Sequence, residues 1–568
     1  MCRILGHFGA DISPHDLRSA VSQRMDAGRS DADCVQRGEG WALAAVQTMA
    51  DKGITAAFEG EIDHRLGLLT RLEVHGRAVA DRNDAALLRS AFELDGTDFA
   101  EHLDGSYIAA VVDTRSAPVL VLATDDAGTT PLYYHWDPAR QQLRFASEIP
   151  ALLTLLPRRP ALWEPGLDAY LTTGAPLDGH TLIEGVRVLP PGTTAVCSRA
   201  GGLRLIRRAT GPGRTVPAPG PAAGVRVRAT AVERVRRREA GAGPTCLLGI
   251  GGPGTDLVTE LAAAAGQGLP SVGLPDGEEA GRPAGIDAAR LPELLPDLVR
   301  RLGQPDADPA ALTTDILFAS AHRAGFRSAL ATDTVDEIIA GRGRVEAAVR
   351  ARDVEWLTRY ADALSAVPSD TRFRLYSADY RAYVADRGDA GRALMTRLGE
   401  HARGEARRAV LTGFELDVLL PARGLRRLAH LSGSHAVRAR LPLAPRPVWA
   451  AAAPYAAART PTTAGSRPVL PLTTLLTRNS AATRFVRDVL SPARLRASGL
   501  FDPDAVHRLL AAQLARPTDR IAVAVWSLVM FELWREEYRV AGRRAVRTPH
   551  RAMSPADLPV LSRRTVTF

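Results

Sequence analysis

The sequence is almost without lysine: Lys52 is the only one, and arginine supplies the rest of the 72 basic residues. Cysteine is scarce too. Cys2, Cys34, Cys197 and Cys246 are scattered, with neither zinc-ligand spacing nor a disulfide framework. Aromatic residues make up only 5%, and none are interleaved with a basic patch, so the net charge of +9 does not imply nucleic acid. The basic residues sit in amphipathic stretches such as VRVRATAVERVRRRE (225–239) and in the tail RRAVRTPHR (543–551). These read as solvated helix faces and a frayed terminus. No apolar run approaches the ~18 residues of a membrane span, and no basic-then-apolar leader opens the chain. The expected compartment is the cytoplasm.

What is present is ample core. At 568 residues with 46% hydrophobic content, two or more domains are expected. The first 200 residues carry strand-length segments separated by turn residues: YIAAVVD (107–113), PVLVLATD (118–125), LYYHWD (132–137) and LRFAS (143–147). These suit antiparallel hairpins. The Pro/Gly-rich stretch ATGPGRTVPAPGPAAG (209–224) reads as a linker. Beyond it the apolar spacing becomes helical, as in ELLPDLVRRL (293–302), ALTTDILFASAHRA (311–324) and AVAVWSLVMFELWREEY (522–538). PTCLLGIGG (244–252) reads as a buried strand entering a glycine turn, followed by the helix TDLVTELAAAA (255–265).

The opening MCRILGHFG admits two readings of Cys2. A free thiol packs like a small hydrophobe in a first strand. Alternatively, removal of Met1 places thiol and α-amine on one residue, so that a nucleophile carries its own base.

The stretch HLDGSYIAAVVDTRSAPVLVLATDDAGTTPLYYHWDPARQQLRFASEI (102–149) resembles the glutaminase domain of glutamine-hydrolysing asparagine synthetases, and LIEGVRVLPPGT (182–193) continues the likeness. LGQPDADPAAL (302–312), DTVDEIIAG (333–341), VLSPARLRASGLFDPDAVHRLL (489–510) and VWSLVMFELW (525–534) resemble, in order, segments of the family's synthetase half. The resemblance implies an N-terminal-nucleophile antiparallel β-sandwich with helices over 1–208, and a linker over 209–224. A Rossmann-like parallel α/β ATP-pyrophosphatase domain with many helices follows over 225–540, and a basic tail over 541–568.

The resemblance also implies site residues. Cys2 stands at the nucleophile position, and Gly60, Glu61 and Asp84 at positions that bind glutamine. Leu248, Gly251, Gly252, Thr255 and Val272 fall at ATP-binding positions, Asp333 at a metal position, and Asp336, Glu337 and Arg440 elsewhere in the synthetase site. ATP and Mg²⁺ are the implied cofactors. Glutamine and a small carboxylate are the implied substrates, and a homodimer or a biosynthetic partner protein the implied assembly.

Departures from the family pattern are equally visible. Arg3 replaces a glycine beside the nucleophile, and Glu59 replaces the asparagine whose amide lines the oxyanion hole. Ile250 and Gly254 replace a serine and a metal-binding aspartate of the phosphate loop. Arg438 and Pro445 replace a glutamate and an aspartate, and AGSRPVLPL (464–472) has Arg467 but no lysine. An arginine cannot readily give up a proton as a lysine can. The resulting expectation is ATP-dependent amidation of an aspartate-type carboxylate with glutamine-derived ammonia, impaired or retuned. The alternative is an inactive pseudo-synthetase acting as a scaffold.

Overall fold

The computed structural model describes residues 3–9, 35–77, 79, 83–158, 161–208, 229, 231–233, 235–236, 244–249, 253–273, 287–351, 355–401, 406–441, 472–478 and 480–540. The described chain divides into two units. One draws on residues up to 159 and on 185–215, the other on 160–184 and 216–545. The linker and basic tail expected at 209–224 and 541–568 lie outside the described residues.

The first unit is built from two antiparallel six-stranded sheets. One has the order β10 (Val186–Val188), β8 (Tyr133–Asp137), β9 (Gln142–Ala146), β1 (Ile4–Phe8), β3 (Trp41–Ala45), β2 (Val35–Gly38). The other has the order β12 (Gly202–Arg207), β11 (Thr193–Ser198), β7 (Val119–Thr124), β6 (Gly105–Asp113), β5 (Ile54–Ile62), β4 (Thr48–Asp51). Strand side chains alternate between faces, and the second sheet is apolar on both. Ile108, Ala110 and Val112 of β6 join Ile4, Phe8, Trp41 and Leu43 in one core between the sheets. Tyr107, Ala109 and Val111 join Leu88, Ala91 and Phe92 of the helix Asp84–Asp95 in a second core behind it. Burial on both faces is why YIAAVVD reads as an unbroken apolar run.

The motif residues DDAGTTP form a structural corner. Asp125 is buried and accepts the N–H groups of Tyr107 (3.1 Å) and Ala127 (2.8 Å) and the hydroxyl of Thr129 (2.5 Å). Gly128 has φ +65°, and a Cβ there would stand 2.7 Å from the Pro191 ring. Both features make the corner intolerant of other residues.

The second unit holds a four-stranded parallel sheet of order β14 (Ser271–Val272), β13 (Thr245–Leu248), β15 (Ser328–Ala331), β16 (Arg438–Arg440), among many helices. The expected helices occur at Leu291–Leu302, Ala310–Arg323 and Asp519–Glu537. The last is tied down by two indoles: Trp526 donates to the Asp306 carbonyl at 3.1 Å and Trp534 to that of Gly303 at 2.9 Å. Within the long helical run over 406–434, Glu415–Leu419 and Pro421–Leu425 are wound as π-helix. Antiparallel sheets followed by a parallel sheet with many helices are the mixed architecture expected from the sequence.

Candidate active sites

Cys2 lies outside the described residues, but the strand that follows it does not. The N–H groups of Arg3 and Ile4 both donate to the Ser147 hydroxyl, at 3.0 and 3.3 Å, and Ser147 N–H donates back to the Ile4 carbonyl at 2.8 Å. The FASEI ending of the motif therefore clamps the start of β1.

Beside it, the two unusual residues of this half meet each other. The Arg3 guanidinium stands 3.4 Å from the Glu59 carboxylate on β5. The Arg3 charge neutralises that of the Glu59 carboxylate locally. Gly60 follows with φ +128°, and a Cβ there would lie 2.0 Å from the Ser106 carbonyl oxygen. Only glycine fits. Glu61 is half-buried opposite Ser106.

Asp84 opens the helix Asp84–Asp95, next to the N-cap Asn83, whose side chain accepts from Ala86 N–H at 2.7 Å. The Asp84 carboxylate is engaged by the Arg65 guanidinium. The remaining described thiols are inert: burial pushes Cys197 up to about 12 and Cys246 to about 11. A nucleophile needs the opposite shift.

In the second unit Leu248, Val272, Thr255, Asp336 and Arg440 lie toward the carboxyl ends of the parallel strands. Leu248 ends β13, in register with Val272 of β14 and Ala331 of β15. In open α/β sheets, ligands bind beyond the carboxyl ends of the strands. The Thr332 hydroxyl donates to the Leu248 carbonyl at 3.0 Å and stands 3.4 Å from the Thr255 hydroxyl. Gly251 and Gly252 lie outside the described residues.

The helix Pro253–Ala264 begins immediately after Gly251 and Gly252 in sequence, and its Gly254 N–H donates to Asp336 Oδ1 at 2.8 Å. A Cβ at 254 would stand 2.7 Å from the Asp336 carboxyl carbon. Asp336 thus fills the space beside Gly254 and caps a helix N-terminus whose partial positive charge attracts anions.

Asp333 opens the helix Asp333–Arg350, and its side chain is outside what the structure describes. Glu337 points elsewhere, 3.5 Å from Arg423 and 3.6 Å from Arg427. Arg427, fully buried, also reaches Asp308 at 2.9 Å and Asp306 at 3.5 Å. Glu337 therefore belongs to a buried ion network anchored on the π-wound segment. Arg440 ends β16 on the same sheet edge, buried at 2% exposure.

Two family models match the chain in order. A "Glutamine amidotransferase domain" covers residues 40–205 and "Asparagine synthase" covers 284–455. The chain belongs to the glutamine-hydrolysing asparagine synthetase family. Curated relatives include an Asparagus officinalis glutamine-hydrolysing asparagine synthetase, 35% identical over 86 residues, which are 15% of this chain and 14% of that protein. Another is Arabidopsis thaliana asparagine synthetase 3, 32% identical over 102 residues, 18% of this chain and 17% of its length. The matched segments thus span less than a fifth of either relative. Among solved structures, a Bacillus subtilis glutamine phosphoribosylpyrophosphate amidotransferase aligns at TM-score 0.26 and 12% identity, over 51% of this chain and 70% of its own. A class-II glutamine amidotransferase domain protein from Silicibacter pomeroyi aligns at TM-score 0.22 and 16% identity, over 37% of this chain and all of its own.

Residues that sequence reasoning passed over are Ser147, Thr332, Arg423 and Arg427. Ser147 had a signal, the quoted FASEI ending. The others act through partners 77 to 121 positions away, which no local pattern reveals.

Proposed function

We propose that this member of the asparagine synthetase family binds ATP and an acidic carboxylate and activates the carboxylate slowly, for amidation with glutamine-derived ammonia. The observation that carries this reading is the Asp336 carboxylate on the Gly254 N–H. An anionic cap occupies the helix N-terminus that would receive phosphate, so nucleotide must displace it. Mg²⁺ commonly binds through one or two carboxylates together with substrate phosphates. Asp336, with Thr255 beside it, fits that donor set, and the ion would supply charge neutralisation at the phosphates. Drawing Asp336 onto a cation would free the helix terminus, at the expense of a capping hydrogen bond.

A second reading, an inactive scaffold protein, is favoured by the Arg3–Glu59 pair, which places a carboxylate where an oxyanion donor is needed. Removing one such donor reduces rate by about 10²–10³-fold.

ATP–pyrophosphate exchange with Mg²⁺ across a panel of acidic amino acids separates the two, with Asp333→Ala as control. The proposal expects ATP binding by calorimetry and slow exchange that the control abolishes. ATP binding with no exchange for any acid favours the scaffold. Absence of both overturns the synthetase reading.

A further inference from the structure

Five buried arginines among the described residues stand beside a carboxylate. Arg208 has Asp126 at 3.0 Å, Arg372 has Asp168 at 2.7 Å, Arg427 has Asp308 at 2.9 Å, Arg426 has Asp306 at 3.6 Å and Arg342 has Glu346 at 3.8 Å. Arg144 is different. It is 7% exposed, its Nε and Nη1 have no hydrogen-bond partner, and Nη2 donates only to Gln142 Oε1 at 3.0 Å. Asp137, a carboxylate whose charge reaches Arg144, is committed to Arg140 at 3.0 Å.

Strand alternation places this guanidinium outside the sandwich, because its neighbours Leu143 and Phe145 lie in the inter-sheet core. The cross-strand register sets His135 of β8 on one side of Arg144 and His7 of β1 on the other. His135 Nδ1 is also buried without a partner. Burial, and then the Arg144 charge, push the His135 ring below its usual range. Arginine cannot shed its proton, and a buried charge without a counter-charge is strongly destabilising. Among the described residues, the row is short of one negative charge.

We propose that Arg144 and His135 bind a small oxyanion, a phosphate or carboxylate group, on the outer face of the first sheet. The planar guanidinium offers Nε and Nη1 together, a geometry suited to two oxygens of one group. His135 Nδ1 supplies a third contact. The site is separate from the inter-sheet face of β1, where Ile4 and Phe8 point.

The test uses the full chain with inorganic phosphate and acetate as probes, against chloride at matched ionic strength. Calorimetry and thermal unfolding provide the readouts. Saturable binding that raises the unfolding temperature is expected, weakened by about tenfold or more in Arg144→Gln, the loss expected for a charge-assisted hydrogen bond. His135→Asn should weaken it by a smaller factor. Acetate without phosphate binding assigns a carboxylate ligand, and phosphate binding assigns a phosphate group. No saturable binding of either probe overturns the proposal, as does binding that persists unchanged in both variants. If Arg144→Gln fails to fold, unchanged affinity in His135→Asn is sufficient to overturn it.

Discussion

Arg3 and Glu59 are separated by more than fifty positions, yet each explains the other. Either alone is a charge in the wrong place; together they form a 3.4 Å pair beside the clamp that Ser147 makes on β1. On the proposed function, Glu59→Asn supplies an amide donor and should raise glutamine hydrolysis by about 10²-fold, measured as ammonia release. Arg3→Gly alone should instead lower it, because it leaves the carboxylate uncompensated. An equal response in the two variants would mean that the pair does not control the site. At the other site, Gly254→Ala drives a Cβ against Asp336 and should lower stability by about 1–3 kcal/mol. Thermal unfolding should show the loss largely recovered in Gly254→Ala/Asp336→Ala. Gly60 was legible from its motif because its backbone admits no side chain. The Arg65 partner of Asp84 was not, since nothing in RNDAALL points nineteen residues back.

Elements were easier to read than their contacts. Strand lengths and turn residues place the hairpins of β6 to β9 within one or two residues, because alternation and turn chemistry are local. The two-faced burial of β5 and β6 required the helix Asp84–Asp95 behind them. Ser147 carries an element-level prediction: Ser147→Ala leaves the Arg3 and Ile4 N–H groups without their acceptor and should cost about 1–3 kcal/mol. Hydrogen exchange should show the loss concentrated at β1. The helix Asp519–Glu537 carries a second. Glu532, at 0% exposure, is pushed up to about 7 by burial, against the lowering effect of Arg535. Its native pKa lies above its unfolded value near 4.3, so the folded chain holds the extra proton between these limits. Stability from this group is full below about pH 4.3 and is lost as pH rises through 7. Glu532→Gln should therefore raise the unfolding temperature at pH 8 relative to wild type, with the difference shrinking towards pH 5.

For the whole molecule, the chain passes through its second unit twice. Residues 161–184 lie in sequence between strands of the first unit, yet pack with the second. Asp168 of the helix Glu164–Thr173 accepts from Arg372 Nε at 2.7 Å, from the Tyr376 hydroxyl at 2.5 Å and from Ala390 N–H at 2.6 Å. Breaking a buried pair by removing one charge costs about 3–5 kcal/mol. Asp168→Asn should accordingly lower the unfolding temperature of the full chain, while Asp178→Asn, at a solvent-exposed pair with Arg397, should leave it within the range of surface substitutions.

The amino-acid order alone carried the architecture and the family, because apolar period, turn residues and motif spacing are local properties that survive substitution at individual site positions. It also marked positions expected to depart from the family pattern. What it could not carry was the pairing of those departures: Glu59 with Arg3, and Gly254 with Asp336. These are through-space contacts between side chains or backbone groups of distant strands and helices. Arg144 is of the same kind, since its lack of a carboxylate partner among the described residues becomes visible only once its neighbours are in place.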